Sequence, residues 1–123
     1  MGKIYITLTG TRHYFGSEFL EPGMKLKLEK EPDNEHDGEA ILVKLKGLGK
    51  IGYVANSLYT VMGESMSAGR LYDKIGDKAS AKVVLVTPRG ILCKVEKKSL
   101  LDWKPERLSG DESEDVAEEE PLQ

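Results

Sequence analysis

The chain reads as mainly β: a small β-barrel of about six short strands with one or two short helices. Three observations carry that reading. Apolar and polar residues alternate along several short segments, as in strands with one buried face. Two glycine-containing turns, Gly47-Leu48-Gly49-Lys50 and Pro88-Arg89-Gly90, each separate a pair of such segments, as hairpin turns do. No strand–helix–strand rhythm and no internal repeat is present. Sheet edges must be closed or covered, and a small barrel does this with few residues.

The elements follow in order. Lys3 to Leu8 places Ile4, Ile6 and Leu8 on one side and Tyr5 and Thr7 on the other, a half-buried strand. Met24 to Lys30 alternates more cleanly, with Met24, Leu26 and Leu28 inward and charges outward. Ala40 to Lys46 is a third strand, rich in Ile, Leu and Val, and it turns at Gly47–Lys50 into a fourth, Ile51 to Val54. The period then changes. Leu58, Val61, Met62 and Met66 fall on one helical face, a stripe read as core and not as a partner groove. Asn56 or Ser57 can cap this helix and Gly69 can close it, while Gly63 keeps it short. Arg70 to Gly76 is read as a further helical turn. Ser80 to Thr87 and Ile91 to Glu96 form a second hairpin, in which Cys93 faces inward with Ile91 and Val95 as a small buried hydrophobe.

Length and charge bound the function classes. At 123 residues the chain suits one domain with one modest core. A folded body is expected over residues 1–104, and residues 105–123 read as an acidic, disordered tail, with few large apolar groups to bury. The formal net charge of −3 hides an asymmetry. Asp111 to Gln123 hold seven acids and no bases; residues 1–110 hold all 18 bases and 14 of the 21 acids, a balance of +4. A mildly basic body permits nucleic-acid binding without requiring it. The apolar runs are too short to cross a bilayer and no signal-peptide pattern opens the chain, so no membrane role is expected. A single cysteine excludes an internal disulfide and a Cys-rich zinc site. A reduced, cytoplasmic setting is expected.

Two loops carry the mixed chemistry. The first is Gly10-Thr11-Arg12-His13-Tyr14-Phe15-Gly16 and the second is Glu31-Pro32-Asp33-Asn34-Glu35-His36-Asp37. A mere connection can be built from Gly, Asn, Asp and Pro. Cations, imidazoles and an aromatic ring are what a binding edge needs.

Read with their strands, these loops form an ordered motif set: Gly10-Thr11-Arg12-His13-Tyr14-x-Gly16, then Leu28-x-Lys30-Glu31-Pro32-Asp33-Asn34-x-His36-Asp37-x-x-Ala40-Ile41-x-Val43, then Lys50-Ile51-Gly52-Tyr53-Val54. The set resembles the HIRAN domain from about Tyr5 to about Lys97. Such domains stand at the N-terminus of eukaryotic helicase-like fork-remodelling enzymes and also occur as small stand-alone bacterial proteins. With no GxxxxGK[ST] motif, this chain looks like the second kind. The resemblance implies an OB-like β-barrel, a DNA-binding role connected with DNA repair, and capture of the 3′-hydroxyl end of single-stranded DNA. It assigns Arg12, His13 and Tyr14 to the terminal nucleotides. Asp33, Asn34, His36 and Asp37 match the surrounding loop, with Asp37 accepting a hydrogen bond from the 3′-hydroxyl. Tyr53 and Asn56 match further pocket positions. The chain departs from the eukaryotic pattern at four of these. His13 stands for an aromatic ring, His36 for a tyrosine, Tyr53 for a histidine, and Asn56 for a phosphate-contacting lysine, a missing cation that predicts weaker phosphate binding.

The residues themselves allow plainer readings. Arg12 suits a phosphate through its planar fork, or a surface ion pair. Tyr14 is expected as a core anchor, His13 and Tyr53 as exposed rings able to stack on bases. Asp33-Asn34 first of all hold a turn. Asp37 is an anion that suits DNA only where phosphate is absent, or a loop acid bound to backbone N–H groups. A calcium loop starting at Asp33 fails, because its twelfth position is Lys44 and strands flank it. His13, His36 and Asp37 match no familiar zinc spacing, so no metal and no cofactor is expected. Lys94, Lys97, Lys98 and Lys104 read as a solvated basic face. No nucleophile elbow, metalloprotease helix or phosphate loop is present. The expectation is therefore a non-enzymatic module that holds single-stranded DNA near an end. The alternative is a protein-interaction adaptor that docks a partner through the barrel edge or the acidic tail.

Overall fold

The computed structural model describes residues 3–104; the acidic tail beyond them lies outside the described residues. Six strands make a closed barrel: β1 (Tyr5–Thr9), β2 (Lys25–Glu31), β3 (Ala40–Leu45), β4 (Gly49–Val54), β5 (Lys78–Thr87) and β6 (Gly90–Val95). Around the barrel they run β1-β4-β3-β2-β5-β6. Every ladder is antiparallel. Closure is thinnest between β1 and β4, where only Leu8↔Val54 and Thr9↔Tyr53 pair. Bulges lie at Val43/Lys44 and Val83/Leu85, where an extra residue bends the strand and increases its twist.

The alternation seen in the sequence fills the interior. Ile6 and Leu8 of β1, Leu26 and Leu28 of β2, Ile41 and Val43 of β3, and Ile51 of β4 are buried, and Ile91, Cys93 and Val95 of β6 join them. Burial pushes the Cys93 thiol up to about 12, so this cysteine is an inert core residue. Ile4 and Met24 pack on the core only partly buried. No helix among the described residues is long and apolar enough to cross a membrane.

The segment from Asn56 to Gly69 corrects the sequence reading. It is not an amphipathic helix. Leu58 is 97% exposed and Tyr59 92%, so the stripe at helical spacing is not a core face. Ser57 holds a single turn instead, its Oγ accepting from the Tyr59 N–H and its carbonyl from Thr60 N–H. Gly63 then reverses the chain at φ +54°, a conformation that glycine adopts without strain. The backbone beyond is used to cover β1. The Met66 N–H donates to the Tyr5 carbonyl, and Met66 bridges Ile6 in parallel. This is why Thr7, on the outward face of β1, is wholly buried. Its hydroxyl accepts from the Met62 N–H at 3.0 Å and shares a hydrogen bond with the Ser65 hydroxyl at 2.8 Å.

The one α-helix described, α1 (Ala68–Tyr72), overlaps the helical turn expected over Arg70 to Gly76 but starts before it, so Gly69 lies inside α1 and does not end a preceding helix. Ser67 caps it, accepting from the Arg70 N–H. Ala68 and Leu71, followed by Ile75, are buried and join the core cluster. A 3₁₀ turn spans Thr11–His13 and another Lys97–Ser99.

Candidate nucleic-acid interface

The candidate residues fall into two groups. Arg12 and His13 sit in the 3₁₀ turn after β1 and are exposed. They line a cleft of about 530 Å³ whose opposite wall is the β5–β6 turn, Thr87 to Ile91. That wall contributes Arg89, an exposed guanidinium that sequence reading did not single out. Its only sequence signal was a cation in a hairpin turn, and turns routinely carry such residues.

The second group is a chain of polar contacts on the outer face of β4 and the loop between β2 and β3. Tyr14 is 38% exposed, so it is not the core anchor expected. The Lys50 ammonium lies 5.8 Å from its ring centre and 5.5 Å from that of Tyr53, within reach of a cation–π attraction. Tyr53 is half-buried, less open than expected. Its hydroxyl donates to Glu31 Oε1 at 2.7 Å and accepts from Lys50 Nζ at 3.3 Å. Lys50 also lies 3.9 Å from Glu31 Oε2.

From Glu31 the chain continues into the loop. Asn34 Nδ2 donates to Glu31 Oε1, and Asn34 Oδ1 accepts the His36 and Asp37 N–H groups at 2.8 and 3.0 Å. This is the turn-holding role expected of the Asp33-Asn34 pair, carried by Asn34, while Asp33 and the His36 ring are exposed. Asp37 Oδ1 accepts the Glu39 N–H at 2.9 Å and Oδ2 accepts Asn56 Nδ2 at 2.7 Å. Asn56 in turn accepts the Gly69 N–H at 2.8 Å. It therefore ties the loop to α1 and does not cap a helix of its own. Tyr14, Tyr53, Asn34, Asp37 and Asn56 are linked in this way, while Arg12 and His13 line the cleft described above, of which none of these five is a part. Glu31 and Lys50, the centre of the network, stand in the sequence motifs but do not stand out there as site residues, because their outward positions on strands read as ordinary surface charge.

The network sets the charges. Burial pushes the Glu31 carboxyl up, but the hydrogen bonds from Tyr53 and Asn34 and the nearby Lys50 charge together hold it below its ordinary value. Lys50 is raised, mainly by its hydrogen bond to Tyr53. The Tyr53 hydroxyl is raised by burial and by its bond to Glu31. Since Glu31 titrates lower folded than unfolded, its contribution to stability is fully present above pH 4.5, the ordinary value, and is lost as pH falls through the lowered one. Acid unfolding followed by circular dichroism should therefore show a component in that window, and Glu31→Gln should remove it.

Among the described residues no group of three His, Cys, Asp or Glu side chains is placed to hold a metal ion. What the surface offers is two guanidinium groups across a cleft, two rings bracketing a lysine, and a carboxylate fixed at both oxygens. Residues 1–98 match the family model of the HIRAN domain. No curated protein and no solved structure matches the chain.

Proposed function

The chain belongs to the HIRAN family, a nucleic-acid-binding domain on a barrel fold, and from that premise we propose that it is a non-catalytic module holding single-stranded DNA near a 3′ end. The observation that carries the reading is the fixed position of Asp37. Both its carboxylate oxygens are already engaged, by Glu39 and Asn56, yet each retains a lone pair. An anion there repels phosphate and accepts from a hydroxyl, so it favours the one point of a strand where a hydroxyl stands alone. Arg12 supplies the bidentate phosphate contact. His13, Tyr14 and the edge of Tyr53 supply stacking surface, worth about 1–3 kcal/mol per base and tolerant of sequence.

Fluorescence anisotropy with short labelled single strands tests this. Affinity should fall with salt along a logarithmic slope of about 0.7 per phosphate contacted. Phosphorylating the 3′-hydroxyl should weaken binding by about tenfold or more, the worth of a charge-assisted hydrogen bond. Phosphorylating the 5′ end should change little. Equal weakening at both ends would leave a strand binder without end preference, and no binding at low salt would remove the proposal.

A further inference from the structure

Cross-strand pairing sets three lysines side by side on the wall away from the loops. Lys25 of β2 is directly opposite Lys82 of β5, and Lys82 is directly opposite Lys94 of β6. Residues paired in this way share a face, and neighbouring strands lie about 4.8 Å apart, so the three positions span about 10 Å. Like charges opposed across a ladder destabilise it. Lys25 has a partial partner, Glu96, at 3.9 Å. Among the described residues Lys82 and Lys94 form no ion pair. Burial and the charges of Lys3, Lys97 and Lys82 hold the Lys94 ammonium below its ordinary value, so these cations feel one another. Beside the row, Lys27, Lys78 and Lys98 line a shallow cleft of about 630 Å³ that also holds one acid, Glu29, itself bound to Lys44.

In the strand order β1-β4-β3-β2-β5-β6, β5 stands across the barrel from β4. The row is thus on the opposite wall from Lys50 and Tyr53. It offers ammonium groups, and the ring beside it, Tyr5 directly opposite Lys94, is half-buried with its face not fully open for stacking. Single strands are held by stacking as well as charge, whereas a duplex keeps its bases stacked inside and presents a dense line of phosphates.

We propose that the outer wall of β2, β5 and β6, centred on Lys25, Lys82 and Lys94, is a second binding face that takes the phosphate backbone of duplex DNA. It does not depend on the loop site holding a 3′ end.

The probe is a covalently closed dumbbell duplex, which has no ends, titrated with the full chain. The wild type should bind it at low salt. The K82Q/K94Q double variant should bind it about five- to tenfold more weakly, with a salt slope lower by about 0.9 for each phosphate no longer neutralised. The same variant should keep its affinity for a short single strand, while Arg12→Ala should weaken the short strand and leave the dumbbell unchanged. Removing opposed like charges should not lower the urea midpoint, so weaker binding cannot be put down to misfolding. Unchanged dumbbell affinity and slope in K82Q/K94Q, no dumbbell binding by the wild type, or an equal drop in dumbbell affinity in Arg12→Ala would each overturn the proposal.

Discussion

Replacing Gly52 with alanine should destabilise the barrel by about 2 kcal/mol, and replacing it with valine should do so by more. An alanine in a strand is ordinarily the better residue, because it restricts the unfolded chain. Here that gain is overridden by steric overlap. A Cβ at Gly52 would lie 2.6 Å from the Thr9 carbonyl oxygen and 2.7 Å from Leu8 Cδ1. The leucine methyl can turn aside. The Thr9 oxygen belongs to the backbone where β1 crosses β4, in the register whose only pairs are Leu8↔Val54 and Thr9↔Tyr53. Relief requires β1 to move off β4 at the thinnest closure of the barrel. Chemical denaturation should show a lower midpoint with little change in slope, and the melting temperature should drop by roughly 4–8 °C per kcal/mol. Gly38→Ala is the matched control. Its Cβ would meet nothing within 4 Å and its φ is not in the left-handed range, so stability should barely move. A Gly52→Ala protein as stable as Gly38→Ala would mean that β1 does not run this close to β4. The same displacement should reach binding, because Thr9 leads within three residues to Arg12.

What the sequence made legible follows from how far each signal acts. The strands were readable because a period-2 pattern is local: Leu26 and Leu28 point inward whatever their partners are, and both hairpin turns announce themselves. The helix expected after Asn56 fails because the same local pattern was satisfied by chance. Leu58 and Met66 have helical spacing, but the backbone there is recruited by Thr7 and Tyr5 on a distant strand, a tertiary demand that no window of residues reveals. Thr7 shows the converse. It read as outward, and it is buried because that recruited segment lies over it. The loops named the right neighbourhood through their unusual chemistry. They did not mark out Glu31, which joins Tyr53 to Asn34, or Lys50, which donates to the Tyr53 hydroxyl, as site residues. Arg89 was invisible for a similar reason, since only closure of the barrel brings the β5–β6 turn to face Arg12.

Removing the Arg12 guanidinium should weaken binding of a short single strand by about ten- to a hundredfold, the equivalent of one charge-assisted hydrogen bond of about 1.5–3 kcal/mol. Arg12→Lys should recover only part of it, because an ammonium cannot present two parallel N–H donors to one phosphate. Arg89→Ala decides how the cleft works. Arg12 and Arg89 line the same cleft of about 530 Å³, one from the turn after β1 and the other from the β5–β6 turn. If a single phosphate sits between them, the double variant should be weakened by less than the sum of the two single effects, with a coupling of about 0.5–3 kcal/mol in a double-mutant cycle. If the two guanidinium groups hold successive phosphates independently, the effects should add, and the salt slope should fall by about 1.4, twice the value for one single-strand phosphate. Titrating all four proteins against one oligonucleotide over a salt series separates the cases. Neither Arg12→Ala nor Arg89→Ala touches the core or the Glu31 network, so urea midpoints should match the wild type. Arg12→Ala with unchanged affinity would remove this cleft from the binding surface and leave the Tyr14–Lys50–Tyr53 face as the place where a strand is held.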